Sequence, residues 1–310
     1  MQSAATLALS SLVGEKRRGY MEREDERADL RGVLWMLASV VLFAANTLLI
    51  RAASEVSALA DGWMALLFRG VIGVVLLQAI YRKGGVLDWR RMFSSRLVVM
   101  RGLIGGAAII CFYITIVKLG AARATVINLT YPMFATVIAA FWLKEKVRMA
   151  KRVWLAVALA GLVVFLSDGK SALTPSAYDL LALLGALAAG WVVVIIRKLR
   201  HDEHPAQIYG SLVVCSLLMG LPSMGKLPEL SWAAWGFLAA AAFVVTFGQL
   251  YMTSAYQRLS IAHGSSLQMT LPVVTAFGAF LLFGETFQAY ELAGALVTLF
   301  AIWRVAVGRI

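Results

Sequence analysis

Polar and apolar positions along this chain do not alternate at short period. Polar residues collect into brief clusters, and long apolar runs separate them. Windows of about nineteen residues pick out ten runs, at 32–51, 62–81, 96–118, 122–143, 152–168, 177–197, 206–222, 231–256, 262–283 and 290–308. Most come close to the roughly twenty residues that carry a helix across a bilayer core. No alternating barrel pattern is present, and an open sheet cannot satisfy its edges in lipid, so helix is the expected form. The pattern predicts an all-α membrane protein with ten transmembrane helices.

Composition agrees. The chain is 61% hydrophobic and 15% charged, where ordinary globular domains are roughly one-quarter charged. A net charge of +12 raises nucleic acid as a partner. The basic residues, however, lie in short connections between apolar runs, as cytoplasmic loops do, so the lipid bilayer is expected and nucleic acid is not. Cys111 and Cys215 sit inside apolar runs and suggest no disulfide framework. Residues 1–31 read as a charged, mobile cytoplasmic tail, because the basic cluster Lys16–Arg18 follows the first apolar stretch, the reverse of a secretory signal.

Loop charge sets the orientation. The second, fourth, sixth and eighth connections hold fourteen Lys and Arg; the odd-numbered ones hold five, and the last of them none. This bias predicts a multi-pass protein of the cell (inner) membrane with both termini in the cytoplasm.

Two segments repeat. NLTYPMFATVIAAFWLKEKVR (Asn128–Arg148) and QMTLPVVTAFGAFLLFGETFQ (Gln268–Gln288) each place a glutamate thirteen residues after a proline, at Pro132 and Glu145 and at Pro272 and Glu285. Five spans fall in each repeat, 32–168 and 177–308, so the second enters the membrane upside down. Its loop after the proline helix then faces the other side, which explains why KEKVRMAKR is basic and GETFQAYE is not. Inverted repeats of this kind are associated with alternating-access transporters.

At these residues the chain resembles the EamA family of the drug/metabolite transporter superfamily. AARATVINLTYP matches IAHGSSLQMTLP, and a glycine-bearing helix follows in each half (VWLAVALAGLVVFL, YELAGALVTLFAIW). Those glycines fall out of step, Gly161 against Ala301 and Gly294 against Trp154. Within the family the aromatic and amide residues are similar to those of YddG-type exporters of aromatic amino acids. The resemblance implies ten helices around a central cavity, a small-molecule, amino-acid-like substrate and no cofactor. We expect a monomer.

Proline lacks an N–H, so Pro132 and Pro272 leave the carbonyls of Asn128 and Gln268 without helical partners. At both points the residue also carries an amide. These groups either line a cavity or bridge neighbouring helices. Thr246, Gln249, Thr253 and Tyr256 form a polar stripe on one face of the eighth span, and Tyr131 and Thr275 add to the fourth and ninth. Asn46, Tyr113 and Trp191 are single candidates; an interhelical hydrogen bond is an equally good reading of the first two, and an intramembrane Trp is more often packing or an interfacial anchor. Arg69 lies deep enough in its span to be a substrate or gate residue, or else a structural one. Arg101, nearer a span end, is expected to reach back to the cytoplasmic surface. Glu145 and Glu285 read as helix-end contacts.

No carboxylate lies mid-span, which favours uniport or exchange, with His263 the one candidate for coupling. His201–His204 (HDEH) falls in a solvated loop and predicts no metal site. The sequence therefore predicts a transporter, not an enzyme, exporting aromatic or other neutral amino acids by alternating access. Other metabolites or drugs are the alternative within the family. An intramembrane transferase would need paired catalytic groups that the spans lack.

Overall fold

The apolar runs fold as helices in a computed structural model of the chain. It describes residues 3–81, 87–142, 149–167, 175–199, 204–256, 258–259, 264 and 267–307. Side chains of residues 3–29 and of a few helical positions, Tyr256 among them, lie outside the description. The helices are α1 (Ser3–Val56), α2 (Gly62–Tyr81), α3 (Trp89–Ser94), α4 (Arg96–Leu119), α5 (Ala121–Asn128), α6 (Tyr131–Trp142), α7 (Met149–Leu166), α8 (Ala177–Leu199), α9 (Pro205–Gly220), α10 (Trp232–Tyr256), α11 (Leu271–Phe283) and α12 (Ala289–Val307). A 3₁₀ segment, Leu221–Glu229, continues α9. Among the described residues there is no strand, and eight segments are long and apolar enough to cross a membrane.

The ten expected runs are thus ten helical crossings, with α5 and α6 sharing the fourth and α11 occupying the ninth. One expectation changes. The backbone is helical from Ser3 onward into the first span, so the segment read as a mobile tail extends α1. Its stretch from Glu15 to Arg31 is rich in Glu and Arg and contains no proline, a composition that favours helix even outside a packed core.

Both proline segments break completely instead of kinking. The helix stops at a turn over Leu129–Thr130 and restarts at Tyr131; it turns again at Met269–Thr270 and restarts at Leu271. Each proline is then the second residue of a new helix, where a missing N–H costs nothing. The turns are copies. Thr130 Oγ1 donates to Ile127 O at 2.7 Å, and Thr270 Oγ1 donates to Leu267 O at 2.7 Å.

Packing is reciprocal between halves. α1 packs on α10 as α8 packs on α4; α4 meets α9 as α10 meets α2; α6 lies on α8 as α11 lies on α1. The self-related pairs are α2 with α9, α5 with α11 and α7 with α12. This is the contact pattern of two repeats related by a pseudo-twofold axis. Small residues set the closest approaches. A Cβ at Gly102 would lie 2.6 Å from Cys215 Sγ and 2.7 Å from Ser211 O, so the GxxxG face of α4 is the seat of α9. The glycines that fall out of step in sequence meet in space: a Cβ at Gly294 would sit 2.8 Å from Gly161 O.

Candidate functional site

Three candidates from separate spans converge. Arg69 of α2, Tyr113 of α4 and Asn46 of α1 are all buried, at 4%, 2% and 3% exposure. Arg69 Nη1 donates to the Tyr113 hydroxyl at 3.0 Å. Guanidinium has no acceptor, so the phenol takes this bond and sends its own proton to Asn46 Oδ1, at a long 3.5 Å. Arg69 Nε has no partner.

Arg101 corrects the sequence reading. It does not reach back to the cytoplasmic surface, being 4% exposed. Its Nη1 lies over Gly105, where a Cβ would overlap it. Gly105 is one turn further along α4, about 6 Å deeper from the Arg96 end. A glycine at that point opens a channel along the helix surface, and the side chain follows it inward. Arg101 Nε and Nη1 have no partners. The guanidinium is within electrostatic reach of Arg69, Tyr209 and Cys215. Among the described residues no carboxylate pairs with either arginine.

Tyr209 of α9, within electrostatic reach of both arginines, joins this region, and the sequence reading passed over both it and Gln207 on the same helix. The Tyr209 hydroxyl bonds Thr246 Oγ1 at 3.3 Å, and Thr246 donates to Ala242 O at 2.9 Å. Gln207 is buried with Oε1 unpartnered. The signal for both was the polar pair in PAQIYGS at the head of an otherwise apolar run.

The remaining candidates divide. Tyr131 and Gln268 meet across the repeats, hydroxyl to Oε1 at 3.1 Å, with Gln268 Nε2 also 2.8 Å from Met252 Sδ. Asn128 is half-buried, and Pro132 and Pro272 are placed as above. Thr253 donates to Gln249 O at 2.8 Å, so both threonines of the α10 stripe bond their own helix. Gln249 is half-buried. Thr275 is fully buried with Oγ1 unpartnered. Trp191 is 39% exposed and stands 5.9 Å from Trp142, apart from the arginines. His204 caps α9, Nδ1 accepting from Ala206 N at 3.2 Å. The Tyr256 side chain, Glu145, His201 and His263 lie outside the described residues.

At the end of the bundle where α1 finishes and α2 begins, ion pairs tie the repeats together. Arg51 Nε lies 3.2 Å from Glu285 Oε1. Glu285 also takes the first backbone N–H groups of α5, Ala121 N on Oε1 at 3.0 Å and Ala122 N on Oε2 at 2.9 Å. This is the helix-end contact read for Glu285, at a terminus whose dipole favours an anion. Arg123 holds Asp179 Oδ1 at 2.9 Å and Glu291 Oε1 at 2.6 Å. In the Arg51 and Arg123 pairs the first repeat supplies the cation and the second the anion, whereas Lys226 of the second repeat meets Asp61 of the first at 3.3 Å. Every ion pair among the described residues falls at this end.

This architecture has counterparts. The model of the EamA-like transporter family matches residues 30–167 and again 176–307. The pseudopaline exporter CntI of Pseudomonas aeruginosa is 25% identical over 272 residues, covering 87% of this chain and 94% of that one. Solute carrier family 35 member G1 of Homo sapiens is 25% identical over 263 residues, covering 79% and 70%. One solved crystal structure superposes with a TM-score of 0.56 at 15% identity, over 91% of this chain and 96% of that one, a likeness of fold alone. Two family matches, one on each half of a ten-helix bundle with reciprocal packing, place the chain: it is a membrane transporter of the EamA-like transporter family.

Proposed function

We propose that this transporter exports small carboxylate-bearing metabolites of the amino-acid type by alternating access, with Arg69 as the carboxylate anchor. The observation that carries the reading is the buried chain from Arg69 through Tyr113 to Asn46. Burying a guanidinium costs several kcal/mol, and one phenol offsets little of it. A carboxylate accepting from the Arg69 fork would complete the pair. Export follows the direction named for the Pseudomonas aeruginosa relative. The orientation expected from loop charge, with termini in the cytoplasm of an inner-membrane protein, puts the Arg51–Glu285 end outside. The cross-repeat ion pairs then lie at the exterior end.

An aromatic or other neutral amino acid is the simplest such cargo, with its carboxylate on Arg69 and Tyr113 and Tyr131 as aromatic surface. Purified protein in liposomes, assayed by counterflow of glutamate, glutamine, phenylalanine and putrescine, tests the reading. Carriage of any of the three amino acids, lost in Arg69→Gln, supports it. Carriage of putrescine alone overturns it.

A further inference from the structure

Arg101 has no role in that reading, and its position needs one. It is only 4% exposed, two of its nitrogens have no partner, and a second cation, Arg69, lies within its electrostatic reach. Two guanidinium groups that share a low-dielectric interior repel each other as well as losing hydration. A structural arginine in a membrane helix pairs with a carboxylate or with helix-end carbonyls, and the Nε and Nη1 of Arg101 make neither contact. The side chain also runs away from the nearer membrane surface, over Gly105, when the opposite course would have hydrated it. The polar groups around the pair, Tyr113, Tyr209 and, through Tyr209, Thr246, are neutral.

We infer that Arg69 and Arg101 form a two-point anion site, and that the cargo carries two anionic groups, as a dicarboxylate does. The inference rests on the carboxylate reading of Arg69 and, in place of a neutral amino acid, assigns a cargo with a second anionic group. With a single carboxylate on Arg69, Arg101 stays unpaired in the loaded state. A second carboxylate neutralises it, and the planar fork of each arginine matches a carboxylate in two parallel bonds. Gly105 then has a purpose: it keeps the Arg101 fork directed inward.

The test separates glutamate from glutamine, which differ by one anionic group. Competition counterflow and ligand-induced thermal stabilisation are measured on the purified full chain. The wild type should prefer glutamate by about tenfold or more, the range expected for a hydrogen bond to a charged group. Arg101→Gln should bring that ratio toward one while leaving glutamine binding in place, and Arg101→Lys should keep part of it. Gly105→Ala, which displaces the guanidinium without removing its charge, should also lower the ratio. Because Arg101→Gln removes a buried unpaired cation, its ligand-free melting temperature should hold or rise, so loss of preference is not loss of fold. Equal affinity for both amino acids in the wild type, or an unchanged ratio in Arg101→Gln, overturns the two-point site and leaves the Arg69 reading standing. Binding of neither would overturn both. Stabilisation by inorganic phosphate with none by glutamate would overturn the dicarboxylate assignment.

Discussion

Arg51 and Glu285 lie 234 positions apart in sequence and 3.2 Å apart in space, joining the first repeat to the second. The same carboxylate closes the start of α5, so one side chain ties the ends of three segments. Glu285→Gln keeps an acceptor for one backbone N–H and removes the charge. We expect it to destabilise this end of the bundle by about 1–2 kcal/mol, since these side chains are partly exposed and solvent screens part of the attraction. Cysteines placed at Ser54 and Phe287 should label faster from outside in Glu285→Gln than in the parent. A double-mutant cycle with Arg51→Gln should show coupling; additive effects would mean that Arg51 and Glu285 do not act together.

Gly120 sits beside that carboxylate at φ 89°, ψ 163°, a region that only glycine occupies readily. A Cβ there would lie 2.6 Å from Glu285 Oε1. Gly284 also has positive φ, 64°, but meets nothing within 4 Å. Gly120→Ala should therefore cost about 2–4 kcal/mol, combining backbone strain with lost capping, and Gly284→Ala only about 1 kcal/mol. Paired thermal melts read the difference, and equal costs would remove Glu285 from the argument.

Tyr113→Phe takes away the acceptor of Arg69 and the donor of Asn46 together. Each is buried, so stability should fall by about 1–3 kcal/mol. Transport should weaken chiefly through apparent affinity, because the Arg69 fork loses the group that positions it. A variant with normal stability and altered turnover alone would show that the phenol serves a moving part.

Pro132→Ala and Pro272→Ala should each leave a folded, inserted protein with much reduced transport. The prolines start new helices, where alanine is well tolerated, so stability should change by less than about 1 kcal/mol. Alanine permits the helix to run through the turn that Thr130 and Thr270 hold open. Melts and counterflow on the same variants decide the matter; transport at the parental rate would make the breaks architectural.

The fold was legible because each crossing is local. Run length sets a helix, loop charge sets its direction, and a proline marks its break. Asn46, Tyr113 and Arg69 were each legible as oddities within their own spans, although their meeting depends on α1, α2 and α4 packing together. Arg101 was misread because sequence gives depth but not the course of a long side chain. The deciding residue was Gly105, one turn away, which reads as a packing glycine. Arg123, Asp179 and Glu291 sit at span ends, where a charge looks like ordinary loop solvation. Thr130 and Thr270 were visible as a repeated threonine two before each proline, but their value lies in the turn, whose geometry no periodicity reports.

The partners of Arg123 have a consequence for ancestry and assembly. At the offset that carries Pro132 onto Pro272, Glu291 falls on Lys151 of the first half. Two copies of the first half, docked head to tail like the natural pair, would set Arg123 against a lysine where it now meets Glu291. The halves have become lock and key, no longer twins. Severed between residues 167 and 176 and made as two fragments in one cell, they should reunite as a mixed pair and restore transport, and neither fragment should substitute for the other.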